Sequence, residues 1–162
     1  MTWEPTETAT LMFVRTGGKV LLIRKLKGMG KGLINGPGGR IEKNETPEQG
    51  AVRETQEELH VTPKDIQKAG ELWFQFTDEY SLRCHVFTAR GYEGTPASTD
   101  EAIPLWWEED DMPYGQMWAD DRIWYPLMVE GRNFVGRFLF AGDIMLGCEM
   151  DVSGPCEPAR RL

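Results

Sequence analysis

Residues 39–61 read GRIEKNETPEQGAVRETQEELHV, and the fold follows from how this stretch divides. Thr46-Pro47-Glu48-Gln49 has the chemistry of a helix start. The threonine hydroxyl can accept from an otherwise unpaired backbone N–H, the proline stands where no N–H is needed, and the glutamine completes a capping box. The spacing predicts a helix from Pro47 to about Leu59. At about 100° per residue, Ala51, Val52, Thr55 and Leu59 form a stripe for burial. Glu54, Glu57 and Glu58 share the adjoining arc of about 100°. Like charges at i, i+3 and i+4 repel by a few tenths of a kcal/mol per pair, so this arc is either a solvated acidic face or a holder of cations.

Before the helix, six glycines fall between Lys27 and Gly39, together with Asn35 and Pro37. That density describes a shaped loop leading into a short strand at residues 39–42. Further back, residues 8–15 and 20–23 read as two strands joined by a tight turn at Gly17-Gly18. After the helix, residues 69–77, 81–89 and 101–107 are rich in β-branched and aromatic side chains and read as strands. A second helix is expected over residues 118–129, strands over 134–140 and 144–150, and a flexible tail over 153–162. The fold class expected is α/β in the α+β sense: one domain over residues 1–152, with a mixed sheet sandwiched between helices.

The chain has 162 residues, a net charge of −8 and a pI near 4.8. This balance argues against a nucleic acid polymer as partner, because such binding relies on clustered cations. A small anion remains compatible, since a divalent cation reverses the local sign of an acidic cleft. The three cysteines, Cys84, Cys148 and Cys156, lack zinc-ligand spacing and read as free thiols, Cys84 and Cys148 as packing residues. His85 reads as a satisfied strand histidine. With no basic patch at the start and no long apolar run, a cytoplasmic protein without membrane contact is expected.

Gly39, Glu45, Arg53, Glu54, Glu57, Glu58 and Val61 follow the pattern G-x5-E-x7-R-E-U-x-E-E-x-G-U at all but two fixed or apolar positions. The stretch resembles the Nudix box of the Nudix hydrolases. The resemblance implies that Glu54, Glu57 and Glu58 bind Mg2+, with Mn2+ able to substitute. It also implies that the carbonyl near Gly38-Gly39 joins them and that Arg53 orients a carboxylate through an ion pair. Glu57 or Glu58 would help deprotonate the attacking water, and Glu101 would approach the metal from outside the box. Two residues depart from the pattern. Thr55 replaces an aliphatic residue and is expected to bond back to a helical carbonyl, and His60 replaces a glycine and must take its left-handed turn.

Further segments extend the resemblance over roughly residues 9–152: Asn35-Gly36-Pro37-Gly38-Gly39, Phe74-Gln75-Phe76, His85-Val86-Phe87 and Trp118-Ala119-Asp120-Asp121 followed by Trp124. Together they are similar to the MutT-like subgroup that hydrolyses oxidised purine nucleoside triphosphates such as 8-oxo-dGTP and 2-hydroxy-dATP. The indole of Trp118 offers a flat face for stacking, and adjacent carboxyls can donate or accept at a base edge according to protonation. The resemblance implies that Asp120 and Asp121 read the base, Asn35 bonds it, Phe74 forms the opposite wall, and Thr10 and Lys25 complete the pocket. Met29 and Ile34 stand where larger aromatics are usual, and Leu82 is expected near the pocket. The implied activity is release of pyrophosphate from a modified purine nucleoside triphosphate by a monomer. The competing readings are a Nudix hydrolase for another diphosphate-linked nucleotide and a non-catalytic nucleotide-binding module.

Overall fold

The computed structural model describes residues 3–153. Among them, nine strands join in one mixed sheet accompanied by two helices. β1 (Glu7–Thr16) and β2 (Lys19–Lys25) form the expected hairpin, and Gly17 and Gly18 both take positive φ in its turn. β3 (Ile34–Asn35) and β4 (Gly38–Arg40) precede α1 (Pro47–Leu59). β5 (Thr62–Phe76), β6 (Ser81–Glu93) and β7 (Ala102–Glu108) follow, then α2 (Asp121–Val129), β8 (Asn133–Ala141) and β9 (Ile144–Ser153).

Several boundaries differ from the sequence expectation. β5 starts at Thr62, where polar Lys64, Gln67 and Lys68 hide the strand. Pairing with β6 carries them, with a register shift between Lys68 and Gly70. The short strand is Gly38–Arg40 rather than 39–42, and Glu101 lies just before β7 instead of inside it. The second helix starts at Asp121, so Trp118 sits in the preceding turn. Cys84 is buried as expected, but Cys148 is exposed on β9. That strand also continues through Ser153, past the boundary predicted at 152. The remainder of the predicted tail, with Cys156, lies outside the described residues.

The sheet runs β3-β2-β1-β6-β5-β8-β9, with β4 beside β1 and β7 beside β2. Its important irregularity is a fork. β1 pairs with β2 at Val14–Thr16, then parts from it and pairs with β4 at Ala9–Leu11, while β2 turns to β3 at Ile23 and Arg24. The Pro37 carbonyl accepts from Met12 N–H at 2.9 Å and bridges the fork. Alternation along β1 gives each face its own core. Phe13 packs edge-on against Trp124 and Tyr125 of α2, whereas Met12 and Val14 pack with Ala51 and Leu59 of α1.

Helix α1 begins on the predicted capping box. Thr46 Oγ1 accepts from Gln49 N–H at 3.1 Å, and Gln49 Oε1 accepts from Thr46 N–H at 2.9 Å. Both departures from the box pattern take the expected form. Thr55 Oγ1 donates to the Ala51 carbonyl at 2.8 Å, and His60 closes the helix in the left-handed region at φ 61°. A left-handed residue with a Cβ costs about 1–2 kcal/mol, part of which glycine forfeits through its greater unfolded-state entropy. His60→Gly should therefore raise stability by about 0.5–1 kcal/mol, read as a higher urea midpoint at unchanged m-value. A lower midpoint would show that the histidine contributes more than its backbone strain removes.

Candidate active site

One cavity of about 550 Å³ opens at the fork, and most of the residues singled out above line it. Its lining includes Glu54, Glu58, Glu101, Gly38, Gly39 and Lys25, and also Asn35, Phe74, Trp118, Asp120 and Asp121. Thr10 also borders it, although the alternation along β1 turns its side chain to the α1 face with Met12, where Oγ1 is buried without a partner. Glu57 and Arg53 lie outside the lining. Leu82 reaches the cavity as expected and Met29 sits on its rim, but Ile34 belongs to the core behind it.

The glutamate group is built by close approach. A Cβ on Gly39 would lie 2.5 Å from the Glu54 carboxyl carbon, and one on Gly38 would lie 1.9 Å from the Thr10 carbonyl oxygen. Without those side chains, Gly38 N–H donates to Glu58 Oε1 at 2.9 Å. Arg53 organises the outer side. Its Nε and Nη2 form a fork on Glu45 at 2.7 and 3.0 Å, Nη1 reaches Glu54 and Glu57 at 3.2 Å, and Nη2 also bonds the Arg40 carbonyl. The Arg53 hydrogen bonds, then the Glu42 backbone N–H, hold the Glu45 carboxyl below its usual range.

The inner carboxylates behave in the opposite way. Burial pushes Glu58 up to about 7 against the help of Gly38 N–H, and the charges of Glu54 and Glu101 add to the push. Burial also raises Glu54, opposed by Arg53 and reinforced by Glu57 and Glu101. Hard oxygen donors that repel one another in one cavity fit a divalent cation such as Mg2+. Among the described residues, no three acidic, histidine or cysteine side chains converge closely enough to form a ligand group by themselves.

Asp120 and Asp121 are 1% and 3% exposed, and Asp120 Oδ1 and Asp121 Oδ2 have no hydrogen-bond partner. Trp124 Nε1 donates to Asp120 Oδ2 at 2.7 Å. Burial followed by the neighbouring Asp120 charge pushes Asp121 far up, while Trp124 moderates the rise of Asp120. Both carboxyls are thereby biased toward the protonated form, Asp121 more strongly than Asp120. Around it, Trp118 stands edge-on to Phe76 and Phe140, and Phe74 is stacked on Phe138. Asn35 Oδ1 accepts from Gly36 N–H at 2.8 Å, which fixes the side chain at the cavity edge.

Three features escaped the sequence reading. Trp124 orders Asp120, a contact its i+4 spacing could have indicated. Glu7 accepts from Tyr80 at 2.5 Å and from Arg40 at 2.6 Å, and these three residues border the cavity without any local motif to join them. Cys84 lines the cavity instead of merely filling the core. Outside the site, His85 Nδ1 lies 2.8 Å from Lys68 Nζ, consistent with a satisfied strand histidine.

A model of the NUDIX domain matches residues 5–128, a span that includes α1 and both acidic groups. The chain belongs to the Nudix family. It is 43% identical over 144 residues to the oxidized purine nucleoside triphosphate hydrolase of Danio rerio, covering 88% of this chain and 92% of the relative. The protein of the same name from Mus musculus is 37% identical over 132 residues, 81% of this chain and 85% of the relative. The crystal structure of a mutator MutT protein from Bacillus halodurans superposes with a TM-score of 0.80 at 24% identity, covering 90% of this chain and 97% of that one, and so shares the fold. No helix among the described residues of this Nudix chain is long and apolar enough to cross a membrane.

The buried Glu58 gives a stability test with a defined sign. Its folded pKa of about 7 lies above the ordinary 4.5, so the folded state loses stability as pH rises between these values and carries the full penalty above 7. With chelator present, Glu58→Gln should be more stable than the native chain by about 3 kcal/mol at pH 8, and equal to it below pH 4.5. Denaturant melts across this range check the prediction, and a difference independent of pH would contradict it.

Proposed function

We propose that this Nudix protein is a Mg2+-dependent hydrolase of oxidised purine nucleoside triphosphates, releasing pyrophosphate and the monophosphate. The observation that carries the reading is the pairing, in one cavity, of mutually repelling carboxylates with two adjacent buried acids beside aromatic side chains. A nucleoside triphosphate has that polarity, with an anionic chain at one end and a flat base at the other. The names borne by the zebrafish and mouse relatives support the same substrate class.

In this reading Glu54, Glu57, Glu58, Glu101 and the Gly38 carbonyl hold the metal, which when bound neutralises phosphate charge and acidifies water. Arg53 orients Glu54 and Glu57 through its ion pairs. Lys25 faces the phosphates from across the cavity. Glu57 or Glu58, the latter fixed by the Gly38 N–H, would help take a proton from the attacking water. Trp118 stacks on the base, Phe74 closes the other side, and Asn35 bonds the base edge. Protonated Asp121 donates while Asp120 accepts, and movement of that proton between them would exchange the pattern. One pocket could then take either oxidised guanine or oxidised adenine.

Pyrophosphate release with Mg2+ should be faster from 8-oxo-dGTP or 2-hydroxy-dATP than from any ordinary dNTP at equal low concentration. Exclusive turnover of a dinucleoside polyphosphate or nucleotide sugar would reassign the substrate, and nucleotide binding without turnover would leave a binding module. Glu57→Gln should lower kcat by about 100-fold or more at an unchanged melting temperature; a near-native rate would remove Glu57 from the machinery. Asp120→Asn should alter the kcat/KM ratio between the two oxidised purines more than it alters kcat on the better one. An unaltered ratio would count against base reading by the pair.

A further inference from the structure

We infer that Cys84 is a specificity-determining residue of the purine pocket, where the size and weak polarity of one side chain in the pocket floor set the preference between oxidised bases. The inference rests on the substrate reading above and deepens it. Along β6, Leu82 and Cys84 line the cavity, while Arg83 bonds Glu71 and His85 meets Lys68 outside it. Cys84 stands opposite Ala9 on β1 and Leu72 on β5, and both of these residues line the cavity as well. The three form a row across the sheet floor, and within that row only Cys84 carries a hydrogen-bonding atom.

The second observation is the state of the acids in the same cavity. Asp120 Oδ1 and Asp121 Oδ2 are buried without partners, so the pocket presents polar atoms that await a ligand. Burial first, and then the charges of both carboxyls, push the Cys84 thiol far up. The thiol is therefore neutral and near the pair. A neutral thiol is a small group with a weak donor and a soft, polarisable acceptor. Its partner in the structure is the adjacent His85 carbonyl, with Sγ at 3.9 Å, a long contact that leaves the S–H weakly engaged. A base that enters to meet Asp120 and Asp121 comes to rest against this floor. A difference of one carbon in such a floor is worth a tenfold or larger change in discrimination when one substrate fills the depth and the other does not.

The test uses the full chain and its Cys84→Val, Cys84→Ala and Cys84→Ser variants, with steady-state kinetics on 8-oxo-dGTP, 2-hydroxy-dATP and dGTP and a thermal melt of each protein. Cys84→Val adds bulk and removes the donor. It should change the kcat/KM ratio between the two oxidised purines about tenfold, chiefly through KM, with kcat on the better substrate within about twofold. Cys84→Ser keeps a small hydroxyl donor and should stay within about threefold of the native ratio. If the valine variant fails to fold, Cys84→Ala, which deepens the floor, carries the same expectation of a changed ratio. Folded variants that leave the ratio at its native value, or that weaken both substrates equally, overturn the inference and return Cys84 to plain packing. If the native chain itself does not favour oxidised purines over dGTP, the substrate reading fails and this inference falls with it. A native preference left untouched by all three substitutions sinks this inference alone.

Discussion

The approach of the Gly38-Gly39 backbone to Thr10 on one side and Glu54 on the other is the contact on which the site depends. Side chains at these two positions would occupy the space now taken by a β1 carbonyl and by the Glu54 carboxyl. Their absence lets β4 lie beside β1 and lets Gly38 N–H reach Glu58. The fork between β1 and β2 makes the contact useful. α1 packs on one face of the sheet and α2 on the other, so an unbroken sheet would separate the acidic helix from the acid pair. Where the strands part, both groups open into one cavity.

The electrostatics follow a division between an acid held by Arg53 and acids enclosed by protein. Arg53 gathers Glu45, Glu54 and Glu57 through ion pairs; its hydrogen bonds hold the Glu45 carboxyl below its usual range, whereas burial still raises Glu54. Glu58 and Asp121 are surrounded mainly by protein, and burial there favours the proton. A cavity with carboxyls of both kinds is unfavourable to folding by itself, since desolvated acids pack less well than apolar groups. Under the proposed function that disadvantage belongs to the chemistry of the site, because a cation or a base edge would relieve it on binding.

The parts legible in the sequence were those set by local chemistry. The capping box, the glycine turn of the first hairpin, the left-handed end at His60 and the Thr55 back-bond each depend on a few neighbouring residues, and each stands where the sequence put it. Glu54, Glu57 and Glu58 were legible as one group from their spacing on the helix, whereas Asp120 and Asp121 were singled out by the resemblance of their segment to a family pattern. The start of β5 was hidden because Lys64, Gln67 and Lys68 are strand residues by partnership with β6 rather than by propensity. Trp118 has helical spacing to the residues after it, yet it lies in a turn before α2. Which face of β6 carries Cys84 could not be read locally, because it depends on register with Ala9 and Leu72, distant along the chain. The Glu7-Tyr80-Arg40 cluster was equally invisible, being assembled from three separate elements.

The parallel pairings also govern the order of events as the chain is made. β1 pairs in parallel with β6, with Glu7 opposite Leu82, and β5 pairs in parallel with β8, with Phe76 opposite Phe140. Neither pairing can close until a long stretch of intervening chain has emerged, and contacts of such sequence separation form slowly. The caps of α1 can form early, but Phe74 has no Phe138 to stack on, and Asp120 has no Trp124, until the last third of the chain exists. A nascent chain thus has its acidic helix well before the cavity wall carrying Asp120 and Asp121 is complete, so the cavity is closed late in synthesis.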